Sequence, residues 1–198
     1  MSSIRRWYWA VSCDNTVFDP FVGDLGDLGQ EDGDFSACKL ITKWPDDAWV
    51  RASSAESDGE PDDVLQTLFA LPIFSCRLRS ALDQHRITGV QYLPLRVIGF
   101  DGREIDGFTV ANILNCVDGL DLSRSKYGVF PADYFLAACQ GQVRSIEKPV
   151  LIRTALQDFD IVRLEPYKPP IYVSERFVQV FEHGGFTGYS FHEIETSA

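Results

Sequence analysis

The chain has 198 residues, 45% of them hydrophobic and 13% aromatic, and a formal charge of −11. That length supports a sizeable core, with roughly 70% of the unfolded surface buried, and the composition argues against disorder of the whole chain. No apolar run approaches the roughly 20 residues of a membrane helix, and the acidic balance argues against a nucleic-acid partner, because phosphate selects the opposite charge.

Taken in order, the chain opens with Arg5 and Arg6 but no apolar segment behind them, so no signal peptide is read there. Trp7, Tyr8, Trp9, Ala10 and Val11 predict an aromatic strand within residues 4–12. Residues 14–34 then place Gly23, Gly26, Gly29 and Gly33 among acidic side chains, the pattern of a long exposed loop. Asp24, Asp27, Glu31, Asp32 and Asp34 lack the spacing of a calcium-binding helix–loop–helix, so no metal site is expected. Residues 35–43 read as strand or short helix, and Trp44 and Trp49 flank a turn containing Asp46 and Asp47. A second acidic linker at 53–63 leads to a predicted short helix at 62–69, with Asp62 and Asp63 at its positive pole. Residues 13–63 hold fourteen acids against three bases, whereas the remainder holds fifteen of each. All the net charge therefore falls in one quarter of the chain, which suits a basic protein partner.

A longer pattern then occurs twice, at residues 72–92 and 170–191. One extra residue, Val173, separates the copies, and beyond it Ser75 aligns with Ser174, Arg77 with Arg176, Leu82 with Phe181 and Thr88-Gly89 with Thr187-Gly188. In each copy a serine is placed as a helix N-cap. Leu78, Ala81 and Leu82, and Phe177, Val180 and Phe181, recur at helical spacing. Gly184-Gly185 ends the second helix, and His85-Arg86 ends the first. A Thr-Gly turn and an alternating strand follow in both. The unit is therefore an extended segment, a capped helix, a turn and a strand.

Between the copies, Leu93–Phe100 is β-prone, and Asp101-Gly102 predicts a hairpin returning over Glu104–Val110. Residues 121–131 read as loop, and 143–147, 150–154 and 159–164 as strands punctuated by Pro149, Pro166, Pro169 and Pro170. The expected fold class is α+β, a mostly antiparallel sheet with a few helices on one face. Residues 1–66 form an acidic strand-and-loop region and 67–198 the α+β region, the two making one compact unit.

Chemical motifs are scarce. The sequence has three histidines and no phosphate loop, dinucleotide fingerprint, nucleophile elbow or zinc-protease motif. Asp118 and Asp121 lie beside apolar residues, and Cys76 lies in the first turn of a helix, but turn and helix-end roles account for all three. Five cysteines, odd in number and without a Cys-x-x-Cys pair, read as reduced thiols of a cytoplasmic protein. No catalytic residue, cofactor or metal is expected.

Leu71-Pro72-Ile73-Phe74-Ser75, the run 88–95, residues 112–121, Val173-Ser-Glu-Arg-Phe and Thr187-Gly-Tyr-Ser-Phe together resemble the bacterial immunity proteins of polymorphic toxin systems, over roughly residues 65–195. The resemblance implies a cytoplasmic, non-enzymatic protein that binds and neutralises a cognate toxin. With the segregated charge, it directs attention to Asp19, Asp24, Asp27, Glu31, Asp32, Asp34, Trp44, Asp46, Asp47 and Trp49 as the partner-binding surface, since aromatics dominate interface hot spots. The alternative is a small-molecule binder or enzyme using a cleft between the two repeated units.

Overall fold

The computed structural model describes residues 5–12, 20–21, 36–52, 61–65, 72–99 and 101–197. In chain order the elements are β1 (Trp7–Ser12), β2 (Pro20–Phe21), β3 (Trp49–Ala52), β4 (Val64–Leu65), β5 (Ile73–Ser75), α1 (Cys76–Gln84), β6 (Val90–Pro94) and β7 (Arg96–Ile98). They continue with β8 (Glu104–Ile105), β9 (Phe108–Ile113), β10 (Cys116–Val117), β11 (Lys126–Val129), β12 (Val143–Lys148), β13 (Val150–Ile152) and α2 (Arg153–Leu156). β14 (Ile161–Leu164), β15 (Ile171–Ser174), α3 (Glu175–His183) and β16 (Tyr189–Ser197) complete the chain.

The expectation of an α+β fold is corrected. Of the described residues 41% lie in strands and 16% in helices, so the protein is mostly β. The helix expected at 62–69 gives way to β4, whose Val64 pairs with Phe74 of β5; residues 66–71 lie outside the described residues. Residues 38–45 form no regular element. The hairpin at Asp101-Gly102 forms, with Gly102 at φ +83°, but its return strand breaks at Gly107 (φ +89°) into β8 and β9. Strands as short as β2 and β10 are held by neighbours distant in sequence and carry too short a period to read in advance.

Two of the sheets follow one plan. In the first, β4-β5-β9-β6 lie side by side; within the six-stranded sheet, β14-β15-β1-β16 repeat that order. The register matches too. Phe74 pairs with Val64 and Thr109, and Val173, the extra residue of the sequence alignment, in fact takes the place of Phe74 in the second copy, pairing with Ile161 and Tyr8. Tyr92 pairs with Ala111, and its counterpart Phe191 pairs with Ala10. The first unit thus takes its middle strand, β9, from residues that follow the helix. The second takes its middle strand, β1, from the start of the chain. β10 and β13 extend the six-stranded sheet by parallel pairing at its two edges.

Strand alternation divides the core between the two faces of each sheet. Ala10, Ile161, Ile171 and Val173 point to the same cluster as Val64, Phe74, Ala111 and Ile113, where Leu78 and Leu82 of α1 and Phe177 and Phe181 of α3 fill the middle. The alternate residues Trp7, Val162, Leu164 and Tyr172 face a second cluster with Leu120, Leu151 and Leu156. On the first sheet, Leu65, Ile73 and Phe108 face a third, with Val50 and Val97. Both faces are covered, which accounts for strands such as β14 and β15 that are buried at every position. Arg163, fully buried in β14, donates to the carbonyls of Lys168 (2.9 Å) and Pro169 (2.6 Å). Among the described residues no helix is long and apolar enough to cross a membrane.

The serine caps hold as the sequence predicts. The Ser75 and Ser174 hydroxyls accept from the amides of Leu78 and Phe177, three residues on. Each serine also donates at 2.6 Å to a carboxylate from the preceding strand region, Asp63 or Asp160. Arg77 then grips Asp63, and Arg176 grips Asp160 at 2.9 Å. The two arginines reach further, in reciprocal directions. Arg77 donates to the carbonyls of Gly184 and Gly185 at the end of α3, and Arg176 donates to the carbonyl of His85 at the end of α1. Each helix start is thereby tied to the other helix's end, where unpaired carbonyls gather. Nearby, the hydrogen bond and charge of Arg6 hold the Glu175 carboxyl below its usual range.

The Thr-Gly signature has a backbone cause. Gly89 and Gly188 lie at φ +88° and +101°, where side chains are rarely tolerated. A Cβ on Gly188 would sit 2.3 Å from the backbone oxygen of Val64, whereas one on Gly89 would meet the side chain of Asn115, which can turn away. Gly188→Ala is therefore expected to cost at least about 1 kcal/mol more than Gly89→Ala in urea unfolding, and equal losses would contradict the close approach. Asp63→Ala strands the buried Ser75 hydroxyl and the Thr187 amide, which donates to Asp63 at 3.1 Å. The expected loss is about 2 kcal/mol, little of it from the exposed Arg77 pair; a loss under about 0.5 kcal/mol would remove the carboxylate as a fold determinant.

Candidate partner-binding surface

Of the residues singled out from the sequence, Asp19, Asp24, Asp27, Glu31, Asp32 and Asp34 lie outside the described residues. Trp44, Asp46, Asp47 and Trp49 are described, and the structure gathers them at one turn. The irregular segment 38–48 is laid across β6 and β9 by two side chains that are cross-strand neighbours, Gln91 and Asn112. Gln91 exchanges two hydrogen bonds with the backbone of Ile41, at 2.7 and 2.9 Å, and Asn112 donates to the carbonyl of Lys39 at 2.8 Å. Asn112 is 1% exposed, and its amide is satisfied by this backbone segment together with Gln91 Oε1, to which it donates at 3.0 Å.

Trp44 is a strut as well as a surface residue. Its indole N–H donates to the carbonyl of Pro94 at 2.7 Å, and its ring packs against the cluster of Leu93 and Val110. Trp49 is partly buried in β3, with the Arg51 guanidinium 5.8 Å from its ring centre. Asp46 and Asp47 are exposed on the turn between the two rings. The arrangement offers two carboxylates on a turn anchored on one side by the Trp44 ring and on the other by the pairing of β3, at Trp49, with Arg96 of β7.

The expected cleft between the two units appears as a half-open groove of about 470 Å³ between α1 and α3. Its cation, Arg176, is engaged by Asp160 and the His85 carbonyl, and two of its apolar walls, Val180 and Phe186, belong to the shared core. His85 and His183 line it. Among the described residues no group of three or more His, Cys, Asp or Glu could hold a metal. Burial, then the hydrogen bond that Cys116 donates to Cys38, pushes the Cys116 thiol up to about 12, and burial also raises Cys38, so neither is a ready nucleophile.

A different surface escaped the sequence reading. β11 and β12 pair only with each other, as a two-stranded arm whose base is anchored by Ile146 in the second core cluster. Of the five exposed large hydrophobic side chains among the described residues, four lie on this arm: Tyr127, Val129, Phe135 and Leu136. Phe135 is 79% exposed. Residues 127–143 include a single charged residue, Asp133, and none of the seventeen is buried. The available signal was this loss of charge in a chain that is 24% charged; periodicity alone made 121–131 an ordinary loop.

The tip is built from its own hydrogen bonds. The Phe130 amide donates to Gln142 O at 2.9 Å, Gly141 donates back to Phe130 O at 3.1 Å, and the Gln140 side chain donates to Tyr134 O at 2.8 Å. Tyr134 lies between Phe130 and Phe135, with ring centres 4.6 and 4.5 Å away.

The family model that matches this chain is described as "Immunity protein family (Imm11)" and spans residues 22–196. No curated protein matches. The match takes in both copies of the repeated segment, 72–92 and 170–191, the arm and the turn carrying Trp44 and Trp49, and leaves out β1. The chain therefore belongs to the Imm11 immunity protein family.

Proposed function

We propose that the chain neutralises a cognate bacterial toxin in the cytoplasm by binding it directly, without catalysis of its own. Membership of an immunity family carries this reading. The segregated charge supports a basic toxin, because all of the −11 falls within residues 13–63. In this reading the acidic region up to residue 66 supplies the recognition surface, with Asp19, Asp24, Asp27, Glu31, Asp32 and Asp34 leading. Asp46 and Asp47 extend it, on a turn that Trp44 anchors and Trp49 flanks. Residues 67–198 supply most of the scaffold, to which β1 adds a central strand.

The acids act mainly on encounter. Complementary fields accelerate association, and salt weakens them. Replacing Asp24, Asp27, Glu31 and Asp32 together by their amides is expected to slow association with the toxin by about tenfold at low salt and to flatten its salt dependence. Stopped-flow or surface-based kinetics at two ionic strengths reads both. Unchanged association would remove the acidic stretch from the mechanism; absence of any binding by the unaltered chain would remove direct neutralisation.

A further inference from the structure

We propose that the β11–β12 arm is a second, apolar anchor of the toxin interface, with Phe135 and Leu136 entering an apolar pocket within the toxin's basic face; this rests on the function proposed above. Three observations carry it. The first is composition in place: seventeen consecutive residues, all at least partly exposed, include one charge. Interface centres are depleted of charge and enriched in aromatics in this way. The second is area. The four exposed apolar side chains present on the order of 400 Å², comparable to the largest apolar patch of a typical monomer, which is often functional. The third is order. The hydrogen bonds of the tip and the tilted ring contacts of Tyr134 with Phe130 and Phe135 fix the knob before any partner arrives. A preformed knob loses little freedom on docking.

Charge selects the occupant. A second copy of this chain would bring another −11 to the contact, and the nearly uncharged arm offers nothing to offset that repulsion. A basic partner is drawn toward the chain as a whole and meets an arm that does not repel it. Area points the same way. A standard interface buries roughly 800 Å² on each side, about twice what these side chains offer. The arm therefore works with the acidic surface, the acids governing arrival and the arm governing departure.

The test uses the full chain and, as the candidate toxin, the protein made from the neighbouring gene, with dissociation followed at low and high salt. Phe135→Ser with Leu136→Ser is the arm variant. Gln84→Ser, at an exposed residue outside both the arm and the region up to residue 66, is the control. The expected result is an approximately 100-fold faster dissociation for the arm variant at both salts, with an unchanged melting temperature and an unaffected control. Equal dissociation of the arm variant and the unaltered chain would overturn the anchor and leave the proposed function standing. Failure of the unaltered chain to bind would overturn both. Sedimentation showing a dimer that the arm variant abolishes would overturn the toxin as occupant in favour of a second copy.

Discussion

Two carboxylates, Asp63 and Asp160, each collect a serine hydroxyl and an arginine at the start of a helix, and the same arginines reach across to the opposite helix's end. The sheets depend on this arrangement. Each carboxylate lies beside the strand that precedes the helix, since the amides of Ser75 and Ser174 donate to the carbonyls of Asp63 and Asp160 at 2.8 and 3.0 Å. One residue thus joins strand, helix and neighbouring unit. Helix packing in the shared cluster is non-directional; the arginines supply the direction. They fix the helices head to tail, so Leu82 and Phe181 meet the same core from opposite ends.

The repeated helix was legible because its signals are local. A serine cap, an apolar stripe and a Thr-Gly turn fall within about twenty residues, and each has a cause in the structure. What the alignment missed lay outside that window. Asp63 and Asp160 stand 12 and 14 residues before their serines, so they slip out of register with the repeat even though they do the same work. β9 and β1 are equivalent in space but stand on opposite sides of their helices in sequence. The mostly β content was hidden for the same reason: β2 and β10 have two residues each and exist only through partners distant in sequence.

The candidate surface was partly legible. Charge counting found the acidic quarter, and Trp44 and Trp49 were marked as aromatic neighbours of Asp46 and Asp47. The structure adds that Trp44 is tied to Pro94 and packed on Leu93, so its ring is shared between core and surface. The arm could not be found by looking for chemistry, because its property is a lack of charged groups. Exposure gave it meaning: Phe135 in a core would be unremarked, whereas Phe135 at the tip of a ribbon demands a reason.

The central position of β1 ties the order of synthesis to the order of folding. Trp7 to Ala10 pair on one side with Ile171–Ser174 and on the other with Phe191–Ile194, so this strand waits for nearly the whole chain before either flank is covered. The first unit has all four of its strands once residue 113 is made. During translation it can close while β1, with two tryptophans, stays unpaired near the beginning of the growing chain. Contacts of such long sequence separation are entropically slow to form. A cell making this protein therefore passes through an interval in which half the architecture is finished and an aromatic strand is open to chaperones or to mispairing.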